Sequence, residues 1–447
     1  MYPSASAGGG ETYWLAHRGR QRTMSITWEI SELDSGLRVV TTPVSTAQSV
    51  SVNVFVGAGS RGEGERTKGL AHFLEHMVFK GTEKRPTAID IAEAIEGAGG
   101  VLNAYTAKEI TCYWNHVPFD RLELAMDVLA DMLTHSRLDQ EEIDRERSVV
   151  QQEIRRTKDH PAAWCGELLG EALFGDQPMG WSTAGTEETV EELQRQDFVS
   201  WLDTWYGLGN VVVSVAGNAS PDRVTALAEK HIGDGRRPGA PAVTPVEGRI
   251  PARRAICDSR EISQTNLALG MPALPRDDPD RYVLQVLNSL LGRGMSSRLF
   301  KEVRERRGLA YSVSSSVSRH KDTGAFTVTA GVSPEKLDET VTVIQEELTK
   351  LVQETVPEGE MTKARDYTVG SFRLSLETPM ALAQRAGEQL ITLGKIEPIE
   401  TVVERIESVS ADDILRVARR VLVPENAVLS VVGPELDEEV LLKLLAA

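Results

Sequence analysis

The segment IDRERSVVQQEIRRTKDHP (Ile143–Pro161) aligns without a gap on MTKARDYTVGSFRLSLETP (Met361–Pro379). The chain resembles itself elsewhere at the same separation of roughly 210–220 residues, the mark of a duplicated architecture. FDRLELAMDVLADML (Phe119–Leu133) resembles PEKLDETVTVIQEEL (Pro334–Leu348), and LNAYT (Leu102–Thr106) resembles GLAYS (Gly308–Ser312). Gly81 and Gly292 each follow an apolar helical stretch. The two halves therefore carry the same order of elements. Between them, GDGRRPGAPAVTPVEGRIPARR (Gly233–Arg254) is rich in Pro, Gly and Arg and reads as a linker. The organisation expected is an N-terminal domain at 24–232, a linker at 233–254 and a homologous C-terminal domain at 255–447.

Within each half, strands and helices mix. SVSVNVFVGA (Ser49–Ala58) alternates and is β-branched, which predicts a strand; LRVVTTPV (Leu37–Val44) is expected to pair with it. Glu109–Val117 and Asn210–Asn218 read as further strands. Amphipathic helices are predicted over Ala88–Ala98, Asp120–Leu133, Gln140–Arg156 and Pro221–Ile232. Strands follow strands as well as helices. The fold class is therefore α+β: two homologous domains, each a mainly antiparallel sheet with helices packed on one face.

The chain has 447 residues, 41% hydrophobic and 26% charged, an ordinary composition for globular domains. Lys and Arg number 49 against 66 Asp and Glu, a net charge of −17, which argues against nucleic acid or an anionic membrane as a partner and leaves room for basic substrates. No apolar run reaches the ~18–20 residues of a membrane helix. Cys112, Cys165 and Cys257 are too few and too scattered for a disulfide framework or a thiolate zinc site, so a cytoplasmic location is expected. Residues 1–23, Gly/Ser-rich and then basic, lack the apolar core of a secretory signal and are expected to form a disordered tail.

The chemistry concentrates in GLAHFLEHMVFKGT. On a helix, His72 and His76 share a face, and Glu75 lies beside them. Two imidazoles at that spacing can hold one zinc ion while the carboxylate reaches a water on it, the inverted H-x-x-E-H arrangement. Two solvated histidines on an ordinary helix surface are the bland alternative. The flanks oppose it: Leu70, Ala71, Phe73, Leu74, Met77, Val78 and Phe79 make the helix apolar nearly all round, and buried polar groups need a partner. Zinc requires a third protein ligand and an open fourth position. Glu146 and Glu153, two turns apart on the Gln140–Arg156 helix, are both candidates, and spacing does not choose between them. His116, His135, His160, His231 and His320 sit singly and read as structural or solvent-facing.

In the second half the counterparts of His72, Glu75 and His76 fall near Val283, Val286 and Leu287, and Glu153 falls on Ser371. That half keeps the elements and lacks the metal donors. Its own polar feature is Arg304 with Tyr311; taken alone, these read as a helix-surface charge and a core aromatic.

Together these motifs resemble the pitrilysin/insulinase family of inverted zinc peptidases, in particular its two-domain bacterial members and the β subunit of the mitochondrial processing peptidase. The resemblance runs from about Leu37 to the C-terminus and is most specific at GLAHFLEHMVFKGTEKRP, NAYT, ERSVVQQEI and SSRLF with RGLAYSV. It implies one zinc per chain held by His72, His76 and Glu153, with Glu75 as general base and Glu146 as a supporting acidic residue. It further implies that Asn103 and Ala104 belong to an edge that pairs with an extended peptide. Arg304 and Tyr311 are implied to reach the substrate opposite the zinc. The expected activity is zinc-dependent hydrolysis of extended or unfolded peptides. The expected assembly is a homodimer, or a heterodimer with an inactive sister chain, since larger relatives carry four such domains in one chain. The rival expectation is a non-catalytic scaffold subunit; such relatives lose the H-x-x-E-H pattern that this chain keeps.

Overall fold

The computed structural model describes residues 26–235, 241–247 and 254–446. The expectation for the tail at 1–23 lies outside these residues. Of the stretch 233–254, residues 241–247 carry no helix or strand, and a strand starts at Arg254; the rest, beyond the turn at 233–235, lies outside the described residues.

The first half runs β1 (Glu29–Glu32), β2 (Arg38–Pro43), β3 (Ser49–Val56), α1 (Leu70–Met77), α2 (Ala88–Glu96), β4 (Val101–Thr106) and β5 (Thr111–Pro118). It continues α3 (Leu122–Thr134), α4 (Gln140–Asp159), α5 (Pro161–Phe174), α6 (Glu187–Glu192), α7 (Arg195–Trp205), β6 (Val211–Gly217) and α8 (Pro221–Ile232). The second half runs β7 (Arg254–Ser259), β8 (Thr265–Pro272), α9 (Arg281–Gly292), β9 (Ala310–Arg319), β10 (Gly324–Val332) and α10 (Leu337–Gln353). It ends with α11 (Glu358–Leu374), α12 (Pro379–Leu393), α13 (Ile399–Glu407), α14 (Ala411–Val421), β11 (Val428–Gly433) and α15 (Glu438–Ala446).

The strands form two sheets, ordered β1-β2-β6-β3-β5-β4 and β7-β11-β8-β10-β9. Position by position the second order repeats the first without a partner for β1. Among the described residues each sheet has a single parallel pair, β2 with β6 and β7 with β11, and every other pairing is antiparallel. The fold is thus the α+β, mainly antiparallel duplication expected. One pairing differs. The strand at 38–43 does not lie beside 49–56, because β6 is inserted between them. Every residue of β6 is buried, so it takes a central position, which local periodicity could not reveal.

The expectation of helices on one face is also corrected: both faces of each sheet are covered. Val50, Val52, Val54 and Val56 of β3 pack with Phe73, Leu74 and Met77 of α1 and with α3. The opposite face presents Val40, Phe55 and Val212, and it is covered by Ala386 and Leu390 of α12, which comes from the other half of the chain. The exchange is reciprocal. Leu169 and Leu173 of α5 cover Ala268, Val428 and Val432 on the back of the second sheet. Both exchanged helices start with Pro at the first turn, where the missing N–H costs nothing. Alternating polar residues that would suit a solvated face are therefore buried under α12. Ser214 Oγ donates to the Ala383 carbonyl at 2.7 Å, and Asn53 Nδ2 donates to Ser51 Oγ at 3.0 Å.

A buried charge network adds to the join. Glu109, in the β4–β5 turn, accepts from Arg61 Nη1 at 2.7 Å and from Arg276 Nη2 of the second half at 2.6 Å. Arg61 also reaches Asp322 in the β9–β10 turn and the Thr244 carbonyl.

The exchanged helix lies so close to the first sheet that a Cβ on Gly387 would come 2.2 Å from the buried Phe55 ring and 2.8 Å from Ser214 Cβ. Gly387→Ala is expected to cost roughly 1–3 kcal/mol by overpacking. Gly370→Ala on α11, where nothing lies within 4 Å, is expected to gain roughly 0.5–1 kcal/mol. Urea unfolding of both variants checks the opposite signs.

Candidate metal centre

Helix α1 is short, and its N-terminus is held from outside. Gly69, just before it, has φ +91°, a left-handed value that favours glycine. The fully buried Glu63 carboxylate accepts the N–H groups of Gly69 at 2.9 Å and Ala71 at 2.8 Å. Burial pushes the Glu63 carboxyl up to about 8, although those amides and Lys108 pull it down. Glu63 was not singled out from sequence. The available signal was an acidic residue shortly ahead of a helix start, where it complements the helix dipole.

Leu70, Ala71, Phe73, Leu74 and Met77 are buried, while His72, Glu75 and His76 are half-buried on the remaining face. Helix α4 packs beside α1 and brings two glutamates to that face. His72 Nε2 lies 3.3 Å from His76 Nε2, and Glu153 Oε2 lies 3.6 Å from the first and 3.5 Å from the second. A tetrahedral zinc with bonds of about 2.0–2.2 Å keeps its ligand atoms roughly 3.3–3.6 Å apart, so the three donors match one face of that tetrahedron. They form the single metal-capable group of this kind among the described residues. The donor set fits zinc and leaves the fourth corner open.

Glu146 sits differently. Its side chain is 9% exposed against 45% for Glu153. It bonds the far nitrogen of His76, Nδ1, at 2.9 Å and accepts from Lys80 Nζ at 2.5 Å. A proton on Nδ1 leaves the His76 Nε2 lone pair facing His72 and Glu153. Burial opposes charge on Glu146, but the bonds from His76 and Lys80 outweigh it and hold the carboxyl below the usual range. Lys80 was missed from sequence, although it lies one turn beyond His76. His72 is lowered to about 4, chiefly by burial and also by His76, so it is neutral and able to donate a lone pair at neutral pH. Burial also works against protonated His76, but Glu146, Glu153 and Glu75 together raise it.

Glu75 turns towards the last residue of β4. Thr106 Oγ1 donates to Glu75 Oε2 at 2.5 Å. Burial raises the Glu75 carboxyl, the Thr106 bond and His76 oppose this, and Glu153 reinforces it. Thr106 lay within the NAYT segment but was not read as a site residue. Among the described residues β4 is the outer strand of its sheet and pairs with β5 alone. Asn103 and Ala104 lie on it, and Asn103 Oδ1 accepts the Ala104 N–H at 2.8 Å.

Arg304 and Tyr311 are placed elsewhere. Arg304 lies on a wide helical turn at Phe300–Arg306 and Tyr311 near the start of β9, the counterpart of β4. The guanidinium stands 5.4 Å from the Tyr311 ring centre and 4.9 Å from that of Phe300. Tyr311 is 80% exposed, so it is not a core aromatic. No hydrogen bond, ion pair or ring contact joins the two to His72, His76 or Glu153 among the described residues. Val283, Val286 and Leu287 on α9 are buried core residues.

Comparison with known proteins places the chain in a family. The family profile described as "Insulinase (Peptidase family M16)" matches residues 38–187, and that described as "Peptidase M16 inactive domain" matches residues 192–367. An uncharacterized zinc protease of Streptomyces coelicolor is 38% identical over 414 residues, covering 91% of this chain and 90% of the relative. The chain belongs to the M16 peptidase family. An uncharacterized zinc protease of Bacillus subtilis is 35% identical over 400 residues, covering 90% of this chain and 97% of that one. The crystal structure of a protease from Helicobacter pylori superposes with a TM-score of 0.85 at 24% identity, covering 92% of this chain and 100% of that one, a likeness of fold. Among the described residues no helix is long and apolar enough to cross a membrane.

The two glutamates of α4 are expected to separate in a metal titration. Glu153→Gln should lose most bound zinc, whereas Glu146→Gln should keep more of it at reduced affinity, about 10–100-fold by the usual effect of an outer partner. Zinc content after dialysis against a graded chelator checks this; the reverse order would make Glu146 the ligand.

Proposed function

We propose that the chain is a zinc metalloendopeptidase acting on extended or unfolded peptides. The observation that carries this is the triangle of His72, His76 and Glu153 donor atoms, with Glu75 beside it and the outer strand β4, unpaired on one side among the described residues, alongside. Zinc bound there supplies a Lewis acid and a water whose pKa falls towards ~7.

The residues of the chain do the rest. A peptide lies as an added strand along β4 near Asn103 and Ala104, so main-chain hydrogen bonds carry the affinity and side-chain specificity is low. Glu75 accepts the proton of the attacking water and hands it to the leaving amine nitrogen. Thr106 holds Oε2 of Glu75, which leaves Oε1 to move that proton. The net charge of −17 favours basic peptides. Glu75→Gln should therefore retain zinc and lose hydrolysis of an unfolded peptide by several orders of magnitude. Substantial turnover by the purified variant would remove Glu75 from the mechanism.

We further propose that two chains pair, either identical copies or this chain with an inactive sister, so that Arg304 and Tyr311 of one reach the zinc face of the other. Tyr311 would then donate a hydrogen bond to the carbonyl oxygen as it gains charge. The motivation is that the Arg304–Tyr311 pair is exposed and unconnected to the metal donors of its own chain. Glu75→Gln and Tyr311→Phe chains, each nearly inactive, should recover activity when mixed, to at most about half per dimer by two-fold symmetry. Mixed dimers verified by tagged pull-down and still inactive would place the pair in cis or outside the chemistry.

A further inference from the structure

A cavity of ≈ 550 Å³ lies between the exchanged helix α12, helix α9 and the ends of α11 and β9. Its volume falls within the range of about 300–1,000 Å³ typical of small-molecule sites. Four arginines line it, Arg276, Arg281, Arg319 and Arg385, which is a local excess of positive charge in an acidic chain. Two of them are already matched. Arg276 reaches Glu109, and Arg281 pairs with Glu397, which also accepts the Tyr282 hydroxyl at 2.7 Å.

The other two are not matched. Among the described residues neither Arg319 nor Arg385 has a carboxylate at ion-pair distance. Arg319 Nη1 has only the Arg281 carbonyl, at 3.4 Å. Arg385 Nη2 has the Glu397 carbonyl at 2.8 Å, and its cation stands 5.2 Å from the Phe372 ring centre. A guanidinium carries five N–H donors, and among the described residues these bonds engage one nitrogen of each. Burial lowers the pKa of both groups; for Arg319 the neighbouring Arg281 and Arg276 add like-charge repulsion that Tyr282 and Glu388 partly offset, while for Arg385 Glu397, Tyr282 and Glu388 oppose the effect of burial. An anion held against both guanidiniums would offset the burial and the remaining repulsion and take up further donors. The remaining charge facing the cavity is Glu388, exposed on α12 and without an ion-pair partner among the described residues.

We infer that this cavity binds a small organic dianion, a phosphate monoester or a dicarboxylate, clasped between Arg319 and Arg385. None of its lining residues belongs to the proposed peptidase machinery, so the inference stands apart from that reading. A ligand there bridges α12, which is packed on the first sheet, to the body of the second half, and so stabilises their union by linkage.

The test is calorimetric titration of the full chain at low salt with phenyl phosphate and, separately, phthalate, dianions of similar size. Saturable one-to-one binding of at least one is expected, and the tighter probe identifies the anion class. Arg319→Gln and Arg385→Gln should each weaken it about tenfold or more. Glu388→Gln, an exposed change that leaves folding intact, should tighten it several-fold by removing a like charge. If an arginine variant fails to fold, the Glu388→Gln comparison decides. No binding of either probe up to about 10 mM, or binding indifferent to Glu388→Gln, overturns the proposal.

Discussion

Each sheet needs cover on two faces, and each half lays its own helices on one face while the other half sends the helix that covers the second. The exchange of α5 and α12 is reciprocal. Leu169 and Leu173 travel to the second sheet, while Ala386 and Leu390 travel to the first. The halves are therefore interlocked rather than merely tethered, and the contact is close enough that Gly387 has no room for a methyl group against Phe55. The Glu109 network adds charge to the same join. A buried carboxylate is costly to desolvate, and two guanidinium partners with short bonds offset that cost. Removing one partner alone would leave an uncompensated buried charge, so the network holds the relative placement of the halves more than it adds net stability.

This rigidity positions the candidate metal centre. α1 is short, and its two ends are fixed by groups outside it: Glu63 on its first amides, and the Glu146–Lys80 pair on the outer nitrogen of His76. Helix α4 carries Glu146 and Glu153 two turns apart, so one helix supplies both the donor beside the histidine nitrogens and the residue behind them. β4 serves twice as well, forming the outer edge of its sheet among the described residues and using Thr106 to hold Glu75. The duplicated half keeps the order of elements, and Val283, Val286 and Leu287, near which the sequence repeat puts the counterparts of His72, Glu75 and His76, pack into its core. Duplication has therefore left one half with donor atoms and the other with the exposed Arg304 and Tyr311.

Much of this was legible in the sequence, because it depends on local periods. The two-residue alternation of a strand and the four-residue face of a helix are read directly from the chain, so the positions of β3, β5, β6, α3 and α4 follow to within a few residues. The shared face of His72 and His76 follows from the same period, and the duplication follows from the repeated order of elements. Spacing left Glu146 and Glu153 equivalent, because both lie on one helix at whole-turn intervals. Only the packing of α4 on α1 separates them, turning Glu153 towards the two Nε2 atoms and Glu146 towards Nδ1.

The tertiary structure alone decided what depends on distant segments meeting. The insertion of β6 between β2 and β3, the exchange of α5 and α12, the bond from Thr106 to Glu75, the cap from Glu63 and the convergence of four arginines on one cavity are of this kind. Ser51, Asn53 and Ser214 carry the alternation of a solvated strand face, yet a helix from the other half buries them. Periodicity records which side of a strand is less apolar. It does not record what covers that side, because the covering helix lies more than a hundred residues away and is chosen by the packing of the whole chain.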